Sequence, residues 1–275
     1  MPIATLCRTL RVSRSGFYAW RDRPESAHAR RDRELSIRVR ASFDTSRKRY
    51  GSPRIWEDLV EDKIRVSRKR VVRLMQEQGL RARVRRRFKS TTMSDHDQPV
   101  AANLLKQEFT AAAPNQRWVG DTTEFVIGSS GKLYLAVILD LYSRFVVGWA
   151  VSAINDRHLA LRALDVALKR RCPDAGLLHH SDQGSPYASE DYQDVLAGRG
   201  ITCSMSRRGN CYDNAVMESF FSTVKSELAE RFESCGEAKM ELFDYIEVFY
   251  NQQRRHSTLG QVSPAAFERR ATQAA

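Results

Sequence analysis

The first eighty residues carry apolar side chains at helical spacing, interrupted by residues that begin and end helices. The pattern predicts five helices, over residues 3–10, 14–20, 29–43, 53–62 and 68–78. Ser13, Ser52 and Ser67 are the predicted caps, because a serine hydroxyl can accept from the free backbone N–H groups at a helix start. Pro53 suits a first turn, and Gly79 suits a helix end. This part of the chain is therefore predicted to be all helical.

From residue 118 the pattern changes to short apolar runs that alternate with helices. Strands are predicted over residues 118–127, 132–140, 145–152, 177–180 and 201–206, and helices over 157–171, 190–198 and 214–228. Three successive strands followed by alternating helices and strands predict a mixed five-stranded sheet with flanking helices. The ribonuclease H fold has the same order of elements. The fold class is thus α/β, preceded by an all-α region.

Charge is distributed unevenly along the chain. The net charge is +12, but residues 1–100 hold 26 Lys/Arg and 12 Asp/Glu, whereas the remainder holds 19 and 21. The first part is therefore +14 and the second −2, which favours a nucleic-acid-binding part joined to a part with another task. The five cysteines are dispersed without a CxxC pair, which is typical of a reducing compartment. No apolar run is uninterrupted over a membrane-spanning length, so we expect a soluble cytoplasmic protein.

Two of the predicted caps lie in a repeated sequence. Arg-Val-Ser-Arg occurs at residues 11–14 and again at 65–68, each time between two predicted helices. This arrangement is typical of a helix-turn-helix, whose second helix enters the DNA major groove. For the first copy, an ordinary helical hairpin is an equally good interpretation. The groove-facing candidates of the second copy are Arg68, Lys69, Arg70 and Arg73.

A strongly basic run follows the second repeat. Residues 81–89 hold six basic side chains in nine, among them Arg85, Arg86 and Arg87. Such a run neutralises DNA phosphates regardless of sequence, and a solvated tail is the alternative. Residues 90–113 then show little pattern, apart from one helix that they allow over 101–109. The predicted divisions are a small helix-turn-helix-like unit (1–24), a helix-turn-helix domain (29–89), a linker (90–113), a ribonuclease H-like core (114–228) and a C-terminal helical extension (229–275).

Three acidic residues stand out by their positions. Asp121 lies in the middle of the first predicted strand, Asp182 directly follows the fourth strand, and Glu218 lies on the last helix of the core. Phosphodiester cleavage by two metal ions needs hard oxygen ligands that hold the ions about 3.5–4 Å apart. The three carboxylates are therefore predicted to form a metal-dependent catalytic site.

Polar residues around these acids have more than one interpretation. Asp140 ends a neighbouring strand and could approach the site, whereas Asp213 and Asn214 precede a helix and are explained by capping. Packing is expected of at least one of the adjacent His179 and His180.

Two basic segments in this half of the chain also have two possible roles each. Arg207 and Arg208 precede the last helix of the core; we favour DNA contacts, with hydrogen bonding from loop to core as the alternative. The basic segment around Arg254 either binds phosphate or braces the core, and the aromatic residues near it are expected to pack rather than to stack on bases.

Seven segments of the chain together match a known family. They are YGSPRIWEDL (50–59), VSRKRVVRLMQEQGL (66–80), WVGDTTEF (118–125), LDLYSRFVVGWAVS (139–152), HHSDQGSPY (179–187), SRRGNCYDNAVMESFFSTVKSEL (206–228) and YNQQRRHSTLGQVSPAAF (250–267). In these segments the chain resembles the IS three (IS3) family of bacterial insertion-sequence transposases, specifically the protein of the second reading frame (OrfB), within the retroviral-integrase superfamily.

The resemblance implies roles for particular residues. Asp121, Asp182 and Glu218 correspond to the family's catalytic acids, with 35 residues between the last two. They would bind two Mg²⁺ ions, or Mn²⁺ in their place. The family's basic residue falls on Lys225, two helical turns after Glu218 and on the same helix face, where it would contact substrate phosphate.

The resemblance also implies an activity and partners. The protein would bind the double-stranded DNA ends of its element, cut a 3′ end and join the freed 3′-hydroxyl to a second phosphodiester. It would act with the first-reading-frame protein (OrfA) or as a fusion with it, as a homo-oligomer on DNA, associated with the bacterial nucleoid. Two other functions fit part of the sequence. A non-catalytic DNA-binding regulator explains the basic segment but not the acids, and a nuclease of ribonuclease H type explains the core but not the helix-turn-helix.

Overall fold

The structure, a computed structural model, describes residues 2–83, 100–207, 210–228 and 231–274. It divides into two compact units, Met1–Ala82 and Arg83–Ala275. Arg85, Arg86, Arg87 and Arg208, predicted to contact DNA, lie outside the described residues. Within the described ranges, no helix combines the length and the apolar character needed to cross a membrane.

The first unit contains the five predicted helices. They are α1 (Ile3–Thr9), α2 (Arg14–Arg21), α3 (Ala27–Thr45), α4 (Ser52–Glu61) and α5 (Arg68–Glu77). Helices α3, α4 and α5 pack on one another around buried apolar side chains, namely Leu35, Val39, Phe43, Ile55, Leu59, Val71, Leu74 and Met75. The all-helical prediction for this region is confirmed.

Two of the three predicted serine caps are confirmed. Ser13 Oγ accepts from the Gly16 N–H (3.0 Å), and Ser67 Oγ accepts from the Arg70 N–H (3.3 Å). The prediction for Ser52 is wrong, because α4 begins at Ser52 itself and Gly51 is its cap. The N–H groups that a Ser52 cap would bind already donate to the Gly51 carbonyl, from Arg54 (3.1 Å) and Ile55 (3.2 Å). The helix thus starts one residue earlier than its serine suggests.

The second unit is built on one mixed sheet. Its strands are β1 (Arg117–Ile127), β2 (Gly131–Asp140), β3 (Val146–Ser152), β4 (Leu178–Ser181), β5 (Thr202–Met205) and the two-residue β6 (Arg231–Phe232). The order is β3-β2-β1-β4-β5, with β6 beside the far end of β1. The first three strands are antiparallel, whereas β4 and β5 continue the sheet in parallel. The predicted mixed sheet with these five strands is confirmed, and β6 is an addition too short to show in the pattern.

Helices cover the sheet and extend beyond it. They are α6 (Arg157–Arg171), α7 (Ser185–Ala188), α8 (Glu190–Gly198), α9 (Ala215–Glu227), α10 (Cys235–Phe243), a π-helix (Asp244–Tyr250) and α11 (Pro264–Ala274), with 3₁₀ turns at Cys211–Asn214 and Ser257–Leu259. Helix α6 lies so close to β3 that a Cβ on Gly148 would stand 2.7 Å from the Ala167 Cβ. Trp118, Ile138 and Leu164 are fully buried in the core between sheet and helices.

The segment before β1 does not form the helix expected over residues 101–109. Backbone N–H groups of Leu104 and Leu105 donate instead to Ser204 Oγ on β5, at 2.9 and 3.2 Å. Leu105 is buried as well. The segment lies against the core without regular secondary structure: the core binds two of its backbone donors, and the Glu108 N–H closes a turn on the Leu105 carbonyl (2.9 Å).

Candidate active site

The register of the sheet brings Asp121 and Asp182 together. In the parallel pairing of β1 with β4, Trp118 is opposite His179 and Val119 is opposite His180. Continued for two residues, that register places Asp182 level with Asp121 on the adjacent strand, and neighbouring strands lie about 4.8 Å apart. Asp182 comes at the end of β4, where its Oδ1 accepts from the Gly184 N–H at 2.9 Å.

The third acid comes from α9, which packs beside β1. The buried face of α9 includes Met217, Phe220 and Val224, and the Phe220 ring lies 5.0 Å from that of Tyr250. Glu218 is on the exposed side of the same helix. Lys225, two turns later, has its Nζ 5.7 Å from the ring centre of Phe125 on β1. Both polar side chains thus belong to the helix that borders the Asp121 strand.

Electrostatics link the three carboxylates. Burial raises the pKa of Asp121 well above its usual value, and the negative charges of Asp182 and Glu218 raise it further. A hydrogen bond from the Thr122 N–H to Asp121 Oδ1 (2.7 Å) acts in the opposite direction. Partial burial also raises the pKa of Glu218. The acids are therefore close enough to oppose one another's ionisation, and a bound cation would relieve that repulsion.

The donor set suits a hard cation, although the side chains are not arranged around one point. Three carboxylates are the ligands that Mg²⁺ and Mn²⁺ prefer. In the described ranges, no group of three or more His, Cys, Asp or Glu side chains stands close enough to hold one ion. The residues fit the metal by chemistry and by charge.

A layer of rings lies beneath Asp121. A Cβ on Gly120 would stand 2.9 Å from His179 Cε1, so only glycine leaves room for that ring. His179 Nε2 is hydrogen-bonded to the Tyr192 hydroxyl (2.7 Å), and the Tyr187 hydroxyl is bonded to Thr122 Oγ1 (3.1 Å). Burial lowers the pKa of His179 to about 3. His179 is thus a neutral packing residue, as expected of at least one of the two histidines.

His180 is buried too, on the other face of β4. Its Nδ1 is 2.9 Å from Ser204 Oγ, and its Nε2 is 3.1 Å from the Asp213 carbonyl oxygen. Burial lowers its pKa to about 4. Both histidines are neutral at neutral pH and bonded within the protein.

Asp213 does not cap α9, contrary to the expectation from its position. Its carboxylate accepts from the Arg207 backbone and guanidinium, from Asn103 and from Gln107. Asn214 is the N-cap residue by backbone geometry, but its side chain makes no capping bond. The capping interpretation is therefore wrong for Asp213, whose carboxylate is turned inward to cationic and amide donors, whereas Asn214 occupies the N-cap position without a side-chain bond.

Two further acids near the site have other partners. Asp140 is fully buried and accepts from the N–H groups of Asn115 (2.7 Å) and Tyr142 (2.8 Å). Its carboxylate braces the end of β2. Glu124 is exposed and pairs with Lys132 at 2.9 Å across the β1–β2 hairpin.

The C-terminal segment braces the core. Arg254 forms two bonds of 2.7 Å with Glu227, the last residue of α9, and Tyr245 donates to the same carboxylate at 2.9 Å. Asn251 bonds to both the N–H and the carbonyl of Val146 on β3. The aromatic residues of this region pack as expected, since all but the half-exposed Phe243 are buried; they are Phe220, Phe221, Phe232, Tyr245, Phe249 and Tyr250.

Comparison with known proteins identifies the family. The family described as "Integrase core domain" matches residues 111–211 and, in a second form, 199–264, and the family described as "HTH-like domain" matches residues 29–88. A 31 kDa protein of insertion element IS600 from Shigella sonnei is 45% identical over 95% of this chain and 97% of its own length. The transposase InsF for insertion sequence IS3A of Escherichia coli (strain K12) is 42% identical over 97% and 93%. The chain belongs to the IS3 family of insertion-sequence transposases.

The transposase core also aligns with a solved structure, the HTLV-2 integrase catalytic core domain in complex with magnesium. That alignment has 16% identity and a TM-score of 0.45, and it covers 57% of this chain and 99% of the other. Both the family match and the sheet order described above give the core the integrase type of α/β fold.

In the HTH-like domain of the transposase, two of the four groove-facing candidates are exposed and two are bonded to an acid. Lys69 and Arg68 are exposed, with the Arg68 guanidinium 5.2 Å from the Trp56 ring centre. Arg70 and Arg73 each bind Asp32 of α3 at 2.7 Å. These two arginines therefore hold α5 against α3 in the free protein.

Reasoning from the sequence missed the structural role of three residues around the transposase site. The sequence does contain a signal for Gly120, because a glycine inside a strand often marks the close approach of another group. For Asp213 the sequence signal is misleading, since an acid before a helix is usually a cap. For Glu227 there is no sequence signal, because its partner Arg254 is 27 residues away. Arg207 was predicted to contact DNA, with hydrogen bonding from loop to core as the alternative. In the structure it is bonded to Asp213, as that alternative expects.

Proposed function

We propose that this transposase binds the ends of its insertion sequence and performs metal-dependent 3′-end cleavage and strand transfer. Asp121, Asp182 and Glu218 would be its catalytic acids. The observation that carries the proposal is the pairing of β1 with β4, whose register sets Asp121 level with Asp182, beside the helix α9 that bears Glu218. Burial of Asp121 and the charges of the other two carboxylates, which raise its pKa, add to it. A protein that only binds DNA gains nothing from burying an acid beside two others, since that arrangement costs folding free energy unless a cation relieves it.

The three carboxylates would hold two Mg²⁺ ions, or Mn²⁺, with Asp121 between Asp182 and Glu218. Ions bound there would activate the attacking water or 3′-hydroxyl and stabilise the leaving oxygen. Asp121 and Asp182 are kept in place by backbone N–H groups of Thr122 and Gly184. Glu218 would close on the ions from its exposed position on α9, and Lys225 on the same face would bind a substrate phosphate.

The helical region would supply DNA binding. We propose that residues 1–24 and 29–89 are separate units, joined by the linker 90–113 to a catalytic core of 114–228 and an extension of 229–275. In the second unit, Arg68, Lys69, Arg70 and Arg73 would face the major groove, while Arg85, Arg86 and Arg87 would neutralise phosphates. Arg208 would contact DNA near the scissile phosphate, together with Arg207, whose side chain is largely exposed beside its bond to Asp213.

We also propose an assembly around this core. The protein would work as a homo-oligomer on double-stranded DNA, together with the first-reading-frame protein (OrfA) or fused to it. Its place would be the nucleoid of the bacterial cytoplasm. The support is the likeness to family members over nearly the whole chain and the +14 charge of the first hundred residues.

A cleavage and joining assay tests the activity. Full-length protein, with and without the first-reading-frame protein, would be given labelled element-end DNA and Mg²⁺ or Mn²⁺. We expect 3′-end nicks and strand-transfer products from the native chain, and a loss of at least ~10³-fold from Asp121→Asn, Asp182→Asn and Glu218→Gln. The matched control is Glu124→Gln on the same strand as Asp121, which should keep its activity.

The same assay separates the other two functions. A non-catalytic regulator would bind the DNA and cut nothing with any metal, in every protein combination. A nuclease of ribonuclease H type would cut an RNA–DNA hybrid of the same sequence faster than the DNA duplex. Strand transfer that survived all three acid substitutions would contradict the proposal outright.

A further inference from the structure

Asp213 is a fully buried carboxylate surrounded by donors from two parts of the chain. Its Oδ2 accepts from the Arg207 N–H (2.9 Å), Arg207 Nε (3.0 Å) and Asn103 Nδ2 (2.8 Å). Its Oδ1 accepts from Arg207 Nη2 (3.0 Å) and Gln107 Nε2 (2.8 Å). These hydrogen bonds, led by those from Arg207, hold the pKa of Asp213 well below its usual range. The group is therefore ionised and fully satisfied at neutral pH.

The backbone of Asp213 continues the network into the sheet. Its carbonyl oxygen lies 3.1 Å from His180 Nε2, and His180 Nδ1 lies 2.9 Å from Ser204 Oγ. Ser204 Oγ in turn accepts from the N–H groups of Leu104 and Leu105. One histidine tautomer fits both bonds: Nε2–H donates to the Asp213 carbonyl, with Ser206 Oγ as a second neighbour at 3.2 Å, and Nδ1 accepts from the Ser204 hydroxyl. Four elements are thus joined: the segment before β1, β4, β5 and the turn before α9.

Two members of this network lie close to the proposed catalytic acids along the chain. His180 is two residues before Asp182, at the end of β4. Asp213 is five residues before Glu218, in the 3₁₀ turn Cys211–Asn214 that runs directly into α9. Both connections are short and regular, so a shift of Asp213 against His180 would move Glu218 against Asp182.

We propose that Asp213 is a positioning residue, which sets the helix bearing Glu218 against the strand bearing Asp182 and so determines how well the site holds its metal ions. The inference rests on the proposed function. Asp213 touches neither metal nor DNA in this role, and it acts through the turn and through His180. Residues 103–107 become part of the site's support, because Asn103 and Gln107 fill the donor positions that Arg207 leaves.

Asp213→Asn is the direct test, in the full-length protein. An asparagine presents an amide NH₂ to Arg207 or Gln107, which puts donor against donor at nearly unchanged volume. We expect Mn²⁺ binding without DNA, followed by electron paramagnetic resonance, to weaken about 10- to 100-fold, as when second-sphere partners of metal ligands are removed. Strand transfer should need a correspondingly higher Mn²⁺ concentration, with most of the turnover restored at saturation. The matched control, Asp191→Asn at an exposed ion pair with Arg157, should match the native protein.

Two further variants keep the test decisive. If Asp213→Asn does not fold, the pair Asn103→Ala and Gln107→Ala removes neutral donors only, and it should weaken Mn²⁺ binding in the same direction by a smaller factor. Native Mn²⁺ affinity in a folded Asp213→Asn protein, or in the double variant, would overturn the positioning role. The proposed function would fail separately, if Asp121→Asn left Mn²⁺ binding and strand transfer unchanged.

Discussion

The absence of a side chain at Gly120 leaves room for the His179 ring beside the strand that bears Asp121. The ring of His179 fills the space that a Cβ would need, and Tyr192 holds that ring by a hydrogen bond of 2.7 Å. Asp121 follows directly in the same strand. A methyl group at position 120 would therefore force the His179 ring, and with it the contact between β1 and β4, to adjust.

We expect Gly120→Ala to destabilise the core by about 1–3 kcal/mol, since the methyl group must displace a well-packed ring. The same displacement would shift β4 against β1, so metal-dependent cleavage should fall more than the folded fraction does. Urea unfolding and the cleavage assay at a temperature where the variant is folded would measure the two effects.

Gly198→Ala is the matched control for this substitution. Gly198 ends α8, and a Cβ there would meet nothing within 4 Å. It should leave stability unchanged or raise it by up to ~1 kcal/mol, because alanine is the better helix former. Equal stabilities of the two variants would show that the His179 ring yields freely.

Helix α5 illustrates how an element can be basic without presenting all its charges. Arg70 and Arg73 converge on Asp32 of α3, whose side chain is 17% exposed, and the hydrogen bonds from Arg73 and Arg70 hold its pKa below the usual value. Arg73 also pairs with Glu77. Arg68 and Lys69 lie at the exposed start of the helix, next to the Ser67 cap. Arg68 and Lys69 are therefore available to DNA, whereas Arg70 and Arg73 must first break their ion pairs with Asp32.

The salt dependence of DNA binding should distinguish these pairs. Each phosphate contact contributes about 0.9 to the slope of log K against log salt. We expect Arg68→Ala and Lys69→Ala to lower that slope by about one such contact each. Arg70→Ala and Arg73→Ala should change it less and lower the melting temperature more, because they remove the bond between α3 and α5.

Asp32→Asn is the complementary variant, measured with the same element-end DNA. It releases both arginines from Asp32, although Arg73 keeps its pair with Glu77, so non-specific affinity and the salt slope should increase. An unchanged slope, together with a drop in slope for Arg70→Ala, would contradict the bracing role and assign Arg70 to the DNA.

At the scale of the whole molecule, the grouping of the three carboxylates lowers the stability of the fold near neutral pH. Three acids separated by dozens of residues are brought near one another, and the pKa of Asp121 is raised as a result. A group whose folded pKa is raised favours folding only while it is protonated, and that contribution is lost as pH rises through the folded value. Near neutral pH the core is thus less stable than it would be without this site.

A divalent cation should reverse that loss. We expect Mg²⁺ or Mn²⁺ at about 100 times its dissociation constant to stabilise the native chain by about 2.7 kcal/mol. Asp121→Asn should be at least as stable as the native protein without metal, because the repulsion is gone, and should lose the response to metal. Thermal unfolding with increasing Mn²⁺ would measure both.

Glu124→Gln, on the exposed side of the same strand, controls for general ionic effects and should respond to metal as the native chain does. An Asp121→Asn protein that is clearly less stable without metal would show that the aspartate supports the fold instead of straining it.

Much of this architecture follows from local rules. The alternation of strands and helices after residue 117, the caps at Ser13 and Ser67 and the stop at Gly79 all depend on neighbours within a few residues, and each was predicted. Ser52 was misjudged by one position because backbone geometry, rather than side-chain type, chose the cap. The helix expected over 101–109 failed because its backbone donors bind Ser204, a hundred residues away.

The sequence by itself determined the kinds and order of the elements, the uneven charge and which three acids to suspect, since periodicity and spacing are written along the chain. Only the tertiary structure decided the partners: Arg207 with Asp213, Arg70 with Asp32 and Arg254 with Glu227. Each of these residues has several chemically equivalent partners in the sequence. Which one it meets depends on strand register and helix packing, which are settled by contacts between distant residues that no local pattern records.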